Sequence, residues 1–558
     1  MQGPTHFILL AALFFAVSPL AVLAHRWRLL KRPWGRWGLG LLAIVIVAVT
    51  FPETGLGLES VKRLKLLLLA ALLALLAARL QRLGVLGRRR NFIAALTVLA
   101  LAAVVVDLDF FDFHGRGTWM QQHDVAHYYL GSKYFEELGY ENLYGAMLRA
   151  EAELYGDRFI TDHARDLSSH EIVHIRPLLE ASGPVKAAFS EKRWEAFSSD
   201  VRFFRETLGP NYARVLTDHG FNATPLWAAI GGFLGNRVPE GNGRAILLLT
   251  FLDPLLLVLL FAALGRVWGS RVALLALLFY ALAFGAGFSW TGGGFLRTAW
   301  LASSVLGLAC LERRRHGWAG AFLALAALLR IFPIFFLAGP AFRALGDLIS
   351  GRGLSAEHRK LFISFGLSAA LLLLASGAAL GGFDSWSDFG ERSTTYRETV
   401  SPNQVGLTRL LAPDAGRETG DLDAFRSARD RRNAIYRFQL WSLFPLALLA
   451  LAWASRRRSD TDAAALGWLP IFAGMNLASY YCAGLLLLIP AGARRPERLL
   501  WLFGGEAMLY ALRLFESSQA LLFVYRSLGL LYLLVWILLE RPIPSEHDDV
   551  STVERTTP

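Results

Sequence analysis

The feature that most restricts this chain is a series of long apolar runs with almost no charge, at residues 64–80, 245–264, 272–288, 362–380 and 521–539. Each has about the length a helix needs to cross a hydrocarbon core, roughly 17–20 residues. Lipid offers no hydrogen bonds to an open backbone, so runs of this kind cross it as helices. The composition agrees: 54% of residues are hydrophobic and 18% charged, and the mean hydropathy is +0.40. A water-soluble chain of 558 residues carries far more polar surface. The expected architecture is all-α, a polytopic transmembrane helical protein.

The net charge of +12 does not mark a nucleic-acid binder, because the Arg and Lys residues fall in short clusters between apolar runs rather than along one face. The basic stretches 26–36, 79–90, 266–271, 313–315, 343–360, 456–458 and 494–498 are expected on the cytoplasmic side. Most of them can be inside together if 317–342 and 463–491 are hairpins of short helices, broken at Pro333 and near Asn476. The first run, 7–24, lacks a basic front and reads as a retained helix rather than a secretion signal. The same threading places two polar segments outside, 107–239 and 384–436. Within the first, helices are expected over 125–138 and 143–154, and 221–234 reads as interfacial or re-entrant. The domain expectation is a three-helix addition over 1–90, a catalytic transmembrane domain over 91–540, and a disordered cytoplasmic tail over 541–558. The expected location is the plasma (inner) membrane, with the site on its periplasmic or extracellular side. The two cysteines, Cys310 and Cys482, sit in apolar runs and read as packing. We find no clear internal repeat, no Gly-rich phosphate loop, and no His or Cys spacing typical of zinc.

Candidate chemistry concentrates at the start of the large polar segment, at His123, Asp124, His127, Tyr128, Tyr129, Tyr134 and Tyr144. Asp124 just above the membrane suits a general base that takes a proton from an attacking hydroxyl. It equally suits an N-cap, since a helical pattern follows it. His127 could bond that carboxylate or an acceptor, or simply be solvated. Asp107, Asp109 and Asp112 are rivals for the base, nearer the membrane exit. Arg330 lies in an apolar run three residues before Pro333. A charge at a bilayer centre costs about 2.5–3.5 kcal/mol and needs a partner: a lipid phosphate, or an internal acid such as Glu391. Arg297, beside a Gly-rich bend, is a second phosphate candidate or an interfacial arginine. Asn403 and Gln404 could bond sugar hydroxyls or be turn residues after Pro402. Trp290, Trp300, Tyr480 and Tyr481 read as belt residues or stacking platforms. Glu506, Arg513 and Glu516, at helical spacing, are expected to pair with one another.

The ordered succession of these motifs resembles glycosyltransferase family 87, polyprenol-phosphate-mannose-dependent mannosyltransferases of the GT-C type. The likeness begins with Asp124, Tyr128 and Tyr144 and continues through the Phe221 to Trp227 segment, where Thr224 stands for a proline. Next come Gly292 to Arg297, lacking the family's Gln and Asn; Ala319 to Pro333, with Arg330 for Lys; Ser401 to Gln404; and Ser479, Tyr480 and Tyr481. The resemblance implies a GT-C fold and a sugar, mannose in this family, moved from a polyprenyl-phosphate donor to a glycan or glycolipid acceptor. It implies Asp124 as base and Arg330 on the donor phosphate; His127 beside the base and Arg297 as a second phosphate ligand are candidates from their own positions rather than from the family. Tyr128, Asn403, Gln404, Tyr480 and Tyr481 would line the substrates. No cofactor and no metal enter that scheme. A lipid-linked sugar transporter or flippase, or a non-catalytic assembly subunit, are the rival readings.

Overall fold

The computed structural model describes residues 58–81, 88–398, 401–413 and 422–540. The expected first helix at 7–24 and the tail at 541–558 lie outside the described residues. Helices dominate, and six of them are long and apolar enough to cross a membrane: Arg89–Asp107, Gly243–Trp268, Phe332–Ile349, Ala356–Ala379, Arg426–Ser455 and Gln519–Leu539. Strands among the described residues form two small antiparallel pairs. The chain is an all-α multi-pass membrane protein, and it divides into two compact units.

Among the described residues, the first unit comprises those within 58–117, 264–290 and 401–540. Leu58–Leu80 packs against Arg89–Asp107 and against Pro496–Arg513, and Ser270–Leu282 packs on Arg89–Asp107. Buried Leu66, Leu69, Leu72, Phe92 and Leu96 form part of this core. Asp107 is no candidate base here: Lys65 pairs with it, and the Phe288 N–H donates to the same oxygen.

The run at 272–288, read as one span, is a shorter helix that stops at Leu282. Ala283 is extended and Gly285 takes φ +75, so backbone groups are set free inside an apolar region. Two buried charges satisfy them. The Phe284 N–H donates to Glu506 Oε2 at 2.6 Å, and the Arg526 guanidinium donates to the Phe284 carbonyl. Arg526 in turn grips both oxygens of Glu506, at 3.0 and 2.9 Å. This corrects the expected pairing of Glu506 with Arg513 and Glu516, since Arg513 instead donates to the carbonyls of Glu516 and Ser517. Sequence spacing along one helix missed a partner on the next.

The second unit comprises 118–263 and 291–400. The polar segment folds as Gln122–Lys133, Phe135–Leu138, Leu143–Tyr155 and Glu191–Leu208, with a hairpin of His163–Arg165 on Ile172–His174. The first three match the expected 125–138 and 143–154 closely. Its interior holds polar groups in pairs, as burial demands: Lys133 with Asp200 at 2.9 Å, and Arg205 with Glu151 at 2.7 Å. Pro225–Gly235 has eleven residues, too short to span, and packs on Gln122–Lys133 and on Ala356–Ala379. The 317–342 run is broken, but at Arg330 rather than Pro333. His316–Leu329 ends there, and Phe332–Leu337 and Ala338–Ile349 follow. The other expected break, near Asn476, falls between Trp468–Gly474 and the strand Leu477–Ala478 in the first unit.

Two expectations follow. Glu506→Ala leaves Arg526 buried without its carboxylate and the Phe284 N–H without an acceptor. A loss of about 3–5 kcal/mol is expected, visible as a lower unfolding midpoint in detergent, with Glu506→Gln losing less. Secondly, burial pushes His170 down to about 4, helped by His219, Arg392 and Arg165 and opposed by Asp166. The unfolded chain then binds a proton that the folded one refuses, so His170 stabilises the fold above its ordinary value of 6.5. That contribution fades as pH falls from about 6.5 to about 4. His170→Asn should flatten this part of the stability profile, and an unchanged slope would count against the assignment.

Candidate active site

Asp124 is the third residue of the Gln122–Lys133 helix and is buried. A carboxylate in a first helical turn is favoured by the helix dipole, yet it does not serve as a cap. One oxygen, Oδ1, receives Arg297 Nη2 at 2.8 Å, and Oδ2 is buried with no hydrogen-bond partner. A carboxylate held by one oxygen and unbonded at the other keeps a lone pair for the proton a general base takes.

Arg297 reaches this position because its own backbone is pinned. The N–H groups of Arg297 and Thr298 each donate to Asp253 at 3.0 Å, and the Thr298 hydroxyl adds a bond of 2.9 Å. The preceding glycines bring the bend against the start of the Asp124 helix. Gly293 has φ +69, its carbonyl accepts from the Gln121 N–H at 2.9 Å, and a Cβ there would lie 1.8 Å from the Trp119 carbonyl oxygen. At Gly294 a Cβ would lie 2.9 Å from Asp124 Oδ2 and 2.7 Å from Arg297 Cγ. Only glycine permits such an approach.

Tyr128 follows Asp124 by one helical turn and shares its face. Two guanidiniums flank its ring, Arg297 at 5.5 Å and Arg330 at 5.7 Å from the centroid, within the range of cation–π attraction. Its hydroxyl donates to Asn222 at 2.7 Å, and Phe221 and Trp227 pack on it edge to face. Arg330 is buried at the end of His316–Leu329, with extended backbone. Thr224, which stands where the resemblance has a proline, caps that same helix end: its hydroxyl donates to the Leu328 carbonyl at 2.6 Å. Glu391, the acid weighed as a partner for Arg330, is exposed and holds no ion pair among the described residues.

His127 turns elsewhere. It is buried, and its Nε2 meets the Tyr144 hydroxyl at 2.8 Å and the Val215 carbonyl at 3.1 Å. Tyr144 also accepts from the Gly220 N–H at 2.9 Å. His123 and Asp218 lie beside it, with donor atoms of the three side chains within 4.8 Å of one another. Burial pushes His123 down, with His127 adding to the effect. Burial alone would raise Asp218, but His127, His123 and His219 outweigh it and hold the carboxyl below its ordinary value.

The remaining candidates belong to the first unit, where two distant motifs meet. Gln404–Val405 pairs antiparallel with Leu477–Ala478, and the Ser479 N–H donates to the Asn403 carbonyl at 2.8 Å. This brings Asn403 and Gln404 next to the segment of Tyr480 and Tyr481, whose rings stand 4.6 Å apart. The Asn403 side chain accepts from Ser401, and Gln404 Oε1 accepts from Arg432 at 3.4 Å.

Sequence reasoning passed over Asp253 and the pair of His123 with Asp218. A signal for Asp253 existed: a lone carboxylate in the apolar run 245–264 needs a partner. His123 and His127 stood at helical spacing, but nothing local pointed to Asp218.

A polytopic helical membrane protein with a buried carboxylate set on arginine is the class that fold and site define. Residues 238–479 match the model of glycosyltransferase family 87, which bears out the resemblance to that family over the motifs from Gly292 to Ser479. The match supports a membrane glycosyltransferase. It includes Asp253, Arg297, Arg330, Asn403 and Gln404, and it begins after Asp124 and Tyr128. No curated protein and no solved structure matches the chain.

The Gly294 contact yields a direct check. Gly294→Ala should push Asp124 and Arg297 apart, cutting sugar transfer by about 10²-fold, the cost of a misplacement near 1 Å. The unfolding midpoint should fall as well, and Asp124→Asn, which keeps the glycine bend, separates the loss of the base from the loss of packing. Full activity in this variant would show that the ion pair does not matter.

Proposed function

We propose that this protein moves a sugar, mannose by family resemblance, from a polyprenyl-phosphate donor to a hydroxyl of a glycan or glycolipid acceptor. The site would face the non-cytoplasmic side of the plasma membrane. The observation that carries the reading is Asp124: one oxygen is fixed by Arg297, the other is open, and the Arg330 guanidinium stands over Tyr128 one helical turn away.

In this scheme the acceptor hydroxyl gives its proton to Asp124 Oδ2 while its oxygen attacks the anomeric carbon. The bond from that carbon to the phosphate oxygen breaks, the configuration inverts, and the carrier leaves as polyprenyl phosphate. Arg330 donates to the phosphate oxygens as negative charge gathers on them, which is where a preorganised cation contributes most. Arg297 orients the base and lies near enough to Tyr128 to share the phosphate. Tyr128 is proposed to serve the substrate by holding the Arg297 and Arg330 guanidiniums about its ring. The histidine at 127 acts through Tyr144 and Val215 rather than on the base, so its role is positional. Asn403, Gln404, Tyr480 and Tyr481 are proposed to bind substrate hydroxyls and rings. We place the catalytic domain at 91–540, preceded by the addition at 1–90.

The test is transfer by the full-length protein reconstituted in liposomes with labelled polyprenyl-phosphate mannose and extracted acceptor lipids. Asp124→Asn should lower transfer by about 10²–10⁴-fold. Arg330→Lys should lower it less, because a point charge replaces a bidentate donor. Label crossing the bilayer without transfer, unaffected by Asp124→Asn, would favour the transporter reading and remove this one.

A further inference from the structure

The polar segment of the second unit carries a cluster that the transfer scheme leaves unused. We propose that His123, His127 and Asp218 form a binding site for a divalent transition ion of the zinc class. His123 and His127 lie one turn apart on the same face of Gln122–Lys133, and Asp218 approaches from the segment before Pro225–Gly235. One donor atom from each can be chosen so that all three fall within 4.8 Å of one another, and His123 Nε2 lies 3.8 Å from Asp218 Oδ2. A tetrahedral zinc ion with bonds of about 2.0–2.1 Å sets its donors about 3.3 Å apart. Small side-chain rotations therefore close the site.

The histidines are oriented as ligands are. Metal-binding imidazoles commonly donate their second N–H to a carbonyl or carboxylate, which fixes the tautomer and the ring plane. The Val215 carbonyl can only accept, so its contact at 3.1 Å requires the proton on His127 Nε2. The Tyr144 oxygen at 2.8 Å shares that proton, and Nδ1 keeps its lone pair. The short Tyr212–Leu216 helix, through Val215, thus orients the His127 ring.

Two imidazoles and one carboxylate favour zinc and its neighbours over calcium or magnesium, which prefer oxygen alone. Three protein ligands leave a fourth position for water or an exchangeable group. His127 is buried, whereas His123 and Asp218 are half-buried, so an ion can enter from solvent. The ion would tie the helix bearing Asp124 to the chain at Asp218. It would lie one residue from the proposed base along the sequence and does not enter the transfer step.

Metal binding is measurable without any sugar, so this idea and the transferase reading can fail separately. Full-length protein purified in detergent is stripped with chelator and titrated with Co²⁺, then with Zn²⁺. The expected result is a saturable visible band of tetrahedral Co²⁺ at one ion per chain, displaced by Zn²⁺, and a raised unfolding midpoint with Zn²⁺. The band should vanish in Asp218→Asn and His123→Gln, near-isosteric changes whose folding is checked by size exclusion. It should persist in His219→Gln. No saturable band in the wild-type protein overturns the proposal, and so does a band that survives both ligand substitutions.

Discussion

The candidate site in the second unit is held by an enclosed ion pair, Asp124 with Arg297. Neither charge is tolerable alone in so enclosed a place: removing one partner of a buried pair typically costs about 3–5 kcal/mol. Such a pair adds little net stability compared with apolar groups of the same size. What it supplies is register. Gly293 accepts from Gln121, Asp253 accepts from Arg297 and Thr298, and the pair then fixes the helix start against the glycine bend. Three segments far apart in sequence are held to one geometry by bonds that fail together if any one shifts.

The same physical problem recurs wherever an apolar run is interrupted. A break frees backbone N–H and carbonyl groups in a region with no water, and each must find a partner. After Leu282 the partners are Glu506 and Arg526. At the end of His316–Leu329 the partner is Thr224, and at 297–298 it is Asp253. Buried polar side chains in this chain are therefore of two kinds. Some repair backbone breaks, and their atoms are used up. Asp124 is different, because one of its oxygens remains open after the structural bonds are counted. Glu151 shares that feature at Oε2, so what marks Asp124 as the candidate is the unbonded oxygen together with the guanidiniums of Arg297 and Arg330 gathered about Tyr128.

The fold class was legible because the bilayer imposes a length and a polarity that no packing detail overrides. The 362–380 and 521–539 runs became Ala356–Ala379 and Gln519–Leu539, and the break near Asn476 stands where polarity interrupts the run. The 272–288 run misled, because hydropathy cannot see that Glu506 and Arg526 make a break affordable at Phe284. Asp124 was legible as chemistry but not as a base or a cap, since both readings fit a carboxylate before a helical pattern. The structure answers only the cap reading, because Asp124 bonds Arg297, far along the chain, instead of the helix start. Arg330 was legible from cost alone: a guanidinium in an apolar run demands an explanation wherever it lies. The pairing of 404–405 with 477–478 was not, because two-residue strands leave no periodicity to read.

The family match divides the proposed site unequally. Arg297 and Arg330 lie inside 238–479, whereas Asp124 and Tyr128 lie before it. On the proposed reading, the matched part handles the departing phosphate, a group common to every polyprenyl-phosphate donor. The unmatched part meets the acceptor, which differs from one glycan to the next. A base must stand where the attacking hydroxyl arrives, so the residues around it are shaped by the acceptor rather than the donor. The two parts still require each other physically, because Arg297 from the matched segment holds Asp124 from the unmatched one. A change of acceptor can then reshape the 118–237 segment while that single contact keeps base and phosphate in step.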